Sequence, residues 1–126
     1  MNLDLDRRVA IVTGGSRGIG KAVARALAFE GADIAIVARG REALEESASE
    51  LASETGRTVV PIVADTSNGE SVLSMVERVH QEFGRLYILV NNAATPGGGP
   101  LPTLSELTQE DFDAEMNVKV MGYLRC

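Results

Sequence analysis

Thiols, imidazoles and large aromatic rings are nearly missing from this chain. Its 126 residues include one cysteine, one histidine and no tryptophan, and aromatic residues make up 4%. A lone thiol, Cys126, leaves no disulfide framework, and with His80 as the one imidazole a His- or Cys-based zinc site lacks ligands. No metal site is expected. Basic residues are also scarce, with 12 Lys and Arg against 18 Asp and Glu and a net charge of −6. Nucleic acid and anionic membranes both require a basic surface, so neither is expected as a partner. The opening stretch from Met1 to Arg8 has no apolar signal-peptide core, and no later run is long enough to span a bilayer. The expectation is a soluble, cytoplasmic protein.

What is present is regular. Hydrophobic residues make up 44% of the chain, enough for one domain with a buried core. Apolar runs at Val9–Val12, Ile34–Ala38, Thr58–Ala64 and Leu86–Val90 read as strands. Helical patterns separate them: Lys21 to Glu30 before Gly31, and Glu42 to Glu54 before Gly56, with Leu44, Ala48, Leu51 and Ala52 on one face. A third helix ends near Phe83 before Gly84; Ser67 and Glu70 have capping-box spacing and are expected to open it. His80 falls on its polar side. Thr108 and Asp111 form a similar pair at the head of a last helix that runs to Cys126. Pro61 argues for an edge position of the third strand. Continuously apolar strands alternating with amphipathic helices indicate a parallel sheet covered on both faces. The fold class is therefore α/β, a Rossmann-like doubly wound parallel sheet.

The junction after the first strand carries the strongest functional signal. Thr13-Gly14-Gly15-Ser16-Arg17-Gly18-Ile19-Gly20 links an apolar strand to a helix. Such a turn gathers free backbone N–H groups at the positive end of a helix dipole, which seats a phosphate or pyrophosphate. One reading is a Walker A loop, because Gly15-x-x-x-x-Gly20-Lys21 fits most of it and Asp65 imitates a Walker B acid. That reading fails at Ala22, where a Ser or Thr hydroxyl is needed to hold Mg²⁺.

Beyond the loop, Asp65, Asn91-Asn92-Ala93-Ala94 and Met116-Asn117-Val118 follow Thr13-Gly14-x-x-x-Gly18-Ile19-Gly20 in a characteristic order. In this order and spacing the chain resembles the short-chain dehydrogenase/reductase family over nearly its whole length. The resemblance implies a domain that binds NAD or NADP and moves a hydride between the nicotinamide and a small carbonyl or alcohol. It implies a strand order of 3-2-1-4. It also places the coenzyme against Gly14, Ser16, Arg17, Gly18, Ile19 and Gly20. Asp65, with Thr66 beside it, would meet the adenine amino group, Asn91 and Ala93 would border a ribose, and Asn117 would be the catalytic Asn of a water-linked proton relay. For Asn91 and Asn92 alike, a plain role in hydrogen bonding at the end of the sheet coexists with bordering the ribose.

The residue after the second strand chooses between coenzymes. An NAD site places a carboxylate there to hold the ribose 2′-hydroxyl. This chain has Ala38-Arg39, and a guanidinium can grip a 2′-phosphate that a carboxylate would repel. Asp33 stands at the start of that strand and is not the missing acid. NADP is therefore expected over NAD, with Arg17 as a second cation. The family's Tyr-x-x-x-Lys is absent: Tyr87 is followed four positions later by Asn91, and Tyr123 stands too near Cys126. Family members are much longer. The expectation is the cofactor-binding half of an NADP-dependent oxidoreductase, inactive by itself and prone to self-association through its fourth strand. The alternative is a non-catalytic module that binds NADP. Ala94, where the family usually has Gly, and Lys119, where it often has Asn, leave only local geometry open, and the loop from Ala93 to Pro102 is expected to line one wall of the substrate pocket.

Overall fold

A computed structural model describes residues 2–94 and 103–126. Four strands and the intervening helices follow each other in the expected order: β1 (Val9–Thr13), α1 (Gly18–Phe29), β2 (Asp33–Ala38), α2 (Arg41–Thr55), β3 (Val59–Val63), α3 (Gly69–Phe83) and β4 (Ile88–Val90). The strands are all parallel in the order β3-β2-β1-β4. Two helices cover one face of this sheet and a third covers the other, so the architecture is a Rossmann-like doubly wound sheet.

Alternation along the central strands sorts the core into two halves. Ala10, Val12, Ile34 and Ile36 face Ala24, Ala28, Leu44, Ala48 and Leu51 of α1 and α2. Val9, Ile11, Ala35 and Val37 face Val72, Met75 and Val79 of α3. Every residue of β1 is buried, as expected for a strand with helices on both sides. Pro61 pairs opposite Ile36 on the outermost strand, where its missing N–H disturbs no inner ladder. Gly56 and Gly84 close α2 and α3 in the left-handed conformation at φ of 70° and 71°.

Three boundaries differ from the sequence reading. Helix α1 begins at Gly18, three residues earlier than its apolar pattern indicates, because the glycine loop itself enters the first turn. The cap of α3 is Asn68, whose side chain accepts a hydrogen bond from the Ser71 N–H at 3.0 Å. Ser67 is not the cap: its hydroxyl donates to Asp65 Oδ1 at 2.6 Å and is thereby occupied. The last helix does open on the Thr108–Asp111 capping box, with both reciprocal bonds formed. It is not uniform, however. α4 (Gln109–Glu115) passes into a π-helical stretch (Met116–Met121) before α5 (Gly122–Arg125). Among the described residues no helix is long and apolar enough to cross a membrane.

Candidate functional site: the cleft above the first strand

The carboxyl ends of β1, β2, β3 and β4 open onto one cleft of about 780 Å³. Its floor is the glycine loop, with Gly14, Ser16, Arg17, Gly18 and Ile19 all exposed to it. Val37, Ala38 and Arg39 form the wall after β2, and Ala64, Asp65 and Thr66 the wall after β3. Asn92, Ala93 and Ala94 come from the end of β4, and Val118 reaches in from the π-helical stretch. Ligands of open α/β sheets lie in this position, outside the carboxyl ends of strands where the connections diverge.

Close packing dictates the shape of the loop. The N–H groups of Gly14 and Gly15 both donate to Val37 O, at 2.7 and 3.2 Å, which ties the loop down onto β2. Gly14 has φ +66° and Gly18 φ +57°, in the region where side chains are strained. At Gly20 a Cβ would lie 2.1 Å from Gly14 O and 2.6 Å from Asn92 Nδ2, so only glycine lets α1 pack this near the loop. No side chain caps the α1 N-terminus. The first N–H groups of that helix therefore face the cleft without a side-chain acceptor, at the positive end of its dipole.

A fully buried hydroxyl joins the loop to β4. Thr13 Oγ1 accepts from Asn92 N–H at 3.0 Å and Ala93 N–H at 3.1 Å, and donates to Val90 O at 3.3 Å. Asn92 Nδ2 in turn donates to Gly14 O at 3.3 Å. By sequence, Asn91 and Asn92 alike have a role at the end of the sheet and one at the coenzyme ribose, and the role of Thr13 goes unread. The structure places Asn92 in the cleft wall, while Asn91 turns away and donates to Tyr123 O at 3.4 Å. The signal was there, since both are polar residues flanking buried strands, but their partnership is nonlocal.

The charges divide cleanly. Arg39 and Arg17 are exposed at the cleft and free of ion pairs among the described residues. Asp65 accepts from Ser67 through both its hydroxyl and its N–H, at 2.6 and 2.9 Å, and both bonds fall on Oδ1. Those bonds hold the Asp65 carboxyl below the ordinary aspartate range, aided by the charges of Arg39 and Arg125 against the opposing effect of burial. Asp65 is thus an anion and an acceptor at neutral pH. Lys21, which a Walker A loop would aim at a phosphate, instead pairs with Glu50 at 2.6 Å. Asp33 pairs with Arg57 at 3.0 Å at the far end of β2, away from the cleft.

Asn117 lies beside the cleft rather than in its lining. Its Oδ1 and backbone O both accept from Arg125, at 2.6 and 3.1 Å, and its Nδ2 donates to Ser67 O at 3.5 Å. Arg125 also donates to Thr66 O at 2.9 Å, so one guanidinium links the cleft wall to the π-helical stretch. Gly20 packs beneath the loop without lining the cleft. The section of the expected substrate wall from 95 to 102 lies outside the described residues. Among those residues no cluster of three or more His, Cys, Asp or Glu side chains stands ready for a metal ion.

A dinucleotide fits this chemistry. The cleft supplies backbone donors without a side-chain cap at a helix start for phosphate, two guanidinium groups without a close ion pair, and an ionised acceptor in Asp65. Comparison with known proteins points the same way. The peroxisomal 2,4-dienoyl-CoA reductase of Danio rerio is 37% identical over 118 residues, covering 94% of this chain and 38% of that protein. The L-sorbose reductase of Gluconobacter frateurii, solved with NADPH and L-sorbose, superposes with a TM-score of 0.90 at 38% identity. That match covers 99% of this chain and 46% of the reductase. A xylitol dehydrogenase solved with NAD⁺ superposes at 0.87 with 31% identity, covering 96% of this chain and 45% of the dehydrogenase. The chain spans less than half the length of these relatives. The short chain dehydrogenase family model matches residues 8–126, and the chain belongs to that family.

Proposed function

We propose that this chain is the coenzyme-binding part of an NADP-dependent oxidoreductase that transfers a hydride between the nicotinamide and a small carbonyl or alcohol. The observation that carries the coenzyme choice is the end of β2. Arg39 stands there at the cleft, free of ion pairs, and no carboxylate occupies the position that would hold a ribose 2′-hydroxyl. A bidentate guanidinium contact to a 2′-phosphate is charge-assisted and strong, and Arg17 across the loop adds to the same field. The relatives solved with nicotinamide coenzymes include both an NADPH and an NAD⁺ complex, so the preference rests on this chain's own residues.

The coenzyme, when bound, supplies the hydride donor or acceptor; the chain's residues bind and orient it. The N–H groups at the start of α1 would take the diphosphate, and Asp65 Oδ2 would accept from the adenine amino group, Oδ1 being occupied by Ser67. Asn92 and Ala93, fixed by Thr13, would border a ribose. Asn117, held by Arg125, would serve as the catalytic Asn. The proton donor to a carbonyl oxygen comes from outside the residues assigned here, since the sequence holds no Tyr-x-x-x-Lys.

Titration of NADPH and NADH against the chain, each with the parent and with Arg39→Asp, tests the reading. The parent binds NADPH more tightly, and the variant loses or inverts that preference. Equal affinities in the parent would remove the NADP assignment, and no binding of either coenzyme would remove the site. The non-catalytic alternative gives the same binding result. It is separated by whether a longer form of the chain that carries Tyr-x-x-x-Lys reduces carbonyl compounds.

A further inference from the structure

Helix α2 carries a polar residue where its buried stripe calls for an apolar one. Ser47 is 4% exposed and lies among Leu44, Ala48 and Leu51 on the face that packs against the sheet. A serine inside a helix usually returns its hydroxyl to a carbonyl of its own preceding turn. This one does not. Its Oγ donates to Ser16 O in the glycine loop at 2.6 Å, across 31 positions of sequence.

The partner is the carbonyl of a peptide whose other end matters more. In a planar trans peptide the C=O and the next N–H point in opposite directions. Holding Ser16 O against α2 therefore turns the Arg17 N–H to the opposite side, away from α2. Ser16 and Arg17 both line the cleft, and the loop is pressed onto the sheet on its other side, where a Cβ on Gly15 would meet Ile36 at 2.8 Å. The Arg17 N–H closes the turn over residues 14–16 only loosely and makes no hydrogen bond of good geometry among the described residues. It is a weakly engaged donor with a fixed direction.

We propose that Ser47 is a positioning residue for the anion seat: its buried hydroxyl orients the Ser16–Arg17 peptide so that the Arg17 N–H is presented to a phosphate oxygen of the bound ligand. The inference rests on the reading of the cleft as a coenzyme site and adds to it a residue outside the cleft lining. It differs from general support of the loop by α2, for which the structure offers a separate device. Arg25 of α1 binds Glu54 of α2 at 2.7 Å on the solvent side, two turns from Ser47.

The test compares Ser47→Ala, Ser47→Thr and Glu54→Gln with the parent. NADPH affinity is measured by titration at a temperature where all four are folded, and the Arg17 amide is followed by NMR without ligand. Ser47→Ala weakens NADPH binding by about three- to tenfold, the loss expected for one hydrogen bond, and shifts the Arg17 amide resonance. Ser47→Thr, which keeps the hydroxyl, restores the affinity. Glu54→Gln lowers the thermal midpoint without changing affinity. A Ser47→Ala protein that binds NADPH like the parent with an unmoved Arg17 amide overturns the proposal and leaves the coenzyme reading intact. Equal weakening by Glu54→Gln overturns it in favour of general loosening. A parent that binds neither NADPH nor NADH removes the coenzyme reading and the proposal together.

Discussion

Gly20→Ala probes the packing on which the cleft depends. The added methyl would sit 2.1 Å from Gly14 O, 2.6 Å from Asn92 Nδ2 and 2.8 Å from the Gly14 carbonyl carbon. Two of these are backbone atoms of a loop already bonded to Val37, so neither can swing aside as a side-chain tip would. Overpacking of this kind costs about 1–3 kcal/mol. Displacing Asn92 also breaks its bond to Gly14 O, about 1 kcal/mol more. Alanine returns at most about 1 kcal/mol through helix propensity, because position 20 lies in the first turn of α1. The net expectation is a destabilisation of about 2 kcal/mol, roughly 30-fold in the folding equilibrium. Urea unfolding followed by far-ultraviolet circular dichroism measures it. Gly69→Ala is the companion: nothing lies within 4 Å of its Cβ at the exposed start of α3, so it is expected to stabilise by about 0.5–1 kcal/mol. If Gly20→Ala matches the parent in midpoint and in NADPH affinity, the close approach of α1 to the loop is not as described, and the geometry of the anion seat falls with it.

Thr13→Val leaves the Asn92 and Ala93 N–H groups without their acceptor and should cost about 2–3 kcal/mol in urea unfolding, whereas Thr13→Ser, which keeps the hydroxyl, should cost about 1 kcal/mol; equal losses would refute the hub at Thr13. Asp65 titrates below the ordinary 3.8 because Ser67 hydrogen-bonds its charged form. The unfolded chain thus takes up this proton at higher pH than the native one, so the contribution to stability is present above about 3.8 and is lost as pH falls through the lower native value. NMR titration of the Asp65 carboxyl checks the direction, and a midpoint at or above 3.8 contradicts it. β4 is the outer strand beside β1, and Leu86, Tyr87 and Leu89 are exposed on and beside it. We expect concentration-dependent self-association in size-exclusion chromatography, reduced by Leu89→Lys; a monomer at all concentrations would show that this edge does not pair.

How much was legible in the sequence depends on the range of the interaction. Strands and helices came through because a buried parallel strand is apolar at every position and an amphipathic helix repeats every three to four residues. The edge position of β3 followed from the missing donor of Pro61. The glycine loop was legible because positive φ and close approach leave glycine little competition at positions 14, 18 and 20. Contacts between distant segments were not. Ser47 falls on the buried stripe of α2 by spacing, but the carbonyl its hydroxyl meets, 31 positions away, is found only once the loop is folded over it. Thr13 and Asn92 gain their roles only when β4 lies against β1. Ser67 and Asn68 are adjacent and equally good caps by residue type. The carboxylate of Asp65 decided between them by taking the serine hydroxyl. The π-helical stretch left no mark in the apolar pattern at all, since Met116, Val118, Val120 and Met121 suit a regular helix as well.

That widened stretch has a bearing on how the segment can vary. An α-helix advances about 100° per residue, and a turn closed by bonds to the fifth residue holds one residue more. Removing one residue between 116 and 121 would let the helix return to its regular pitch with everything beyond it facing nearly as before, since the wide turn absorbs its extra residue locally. Gly122, whose Cβ would lie 3.1 Å from Thr66 Oγ1, would keep its place there. A single deletion inside this stretch should therefore be borne, whereas one in α4 or α5, where no wide turn absorbs it, should swing the later side chains out of register.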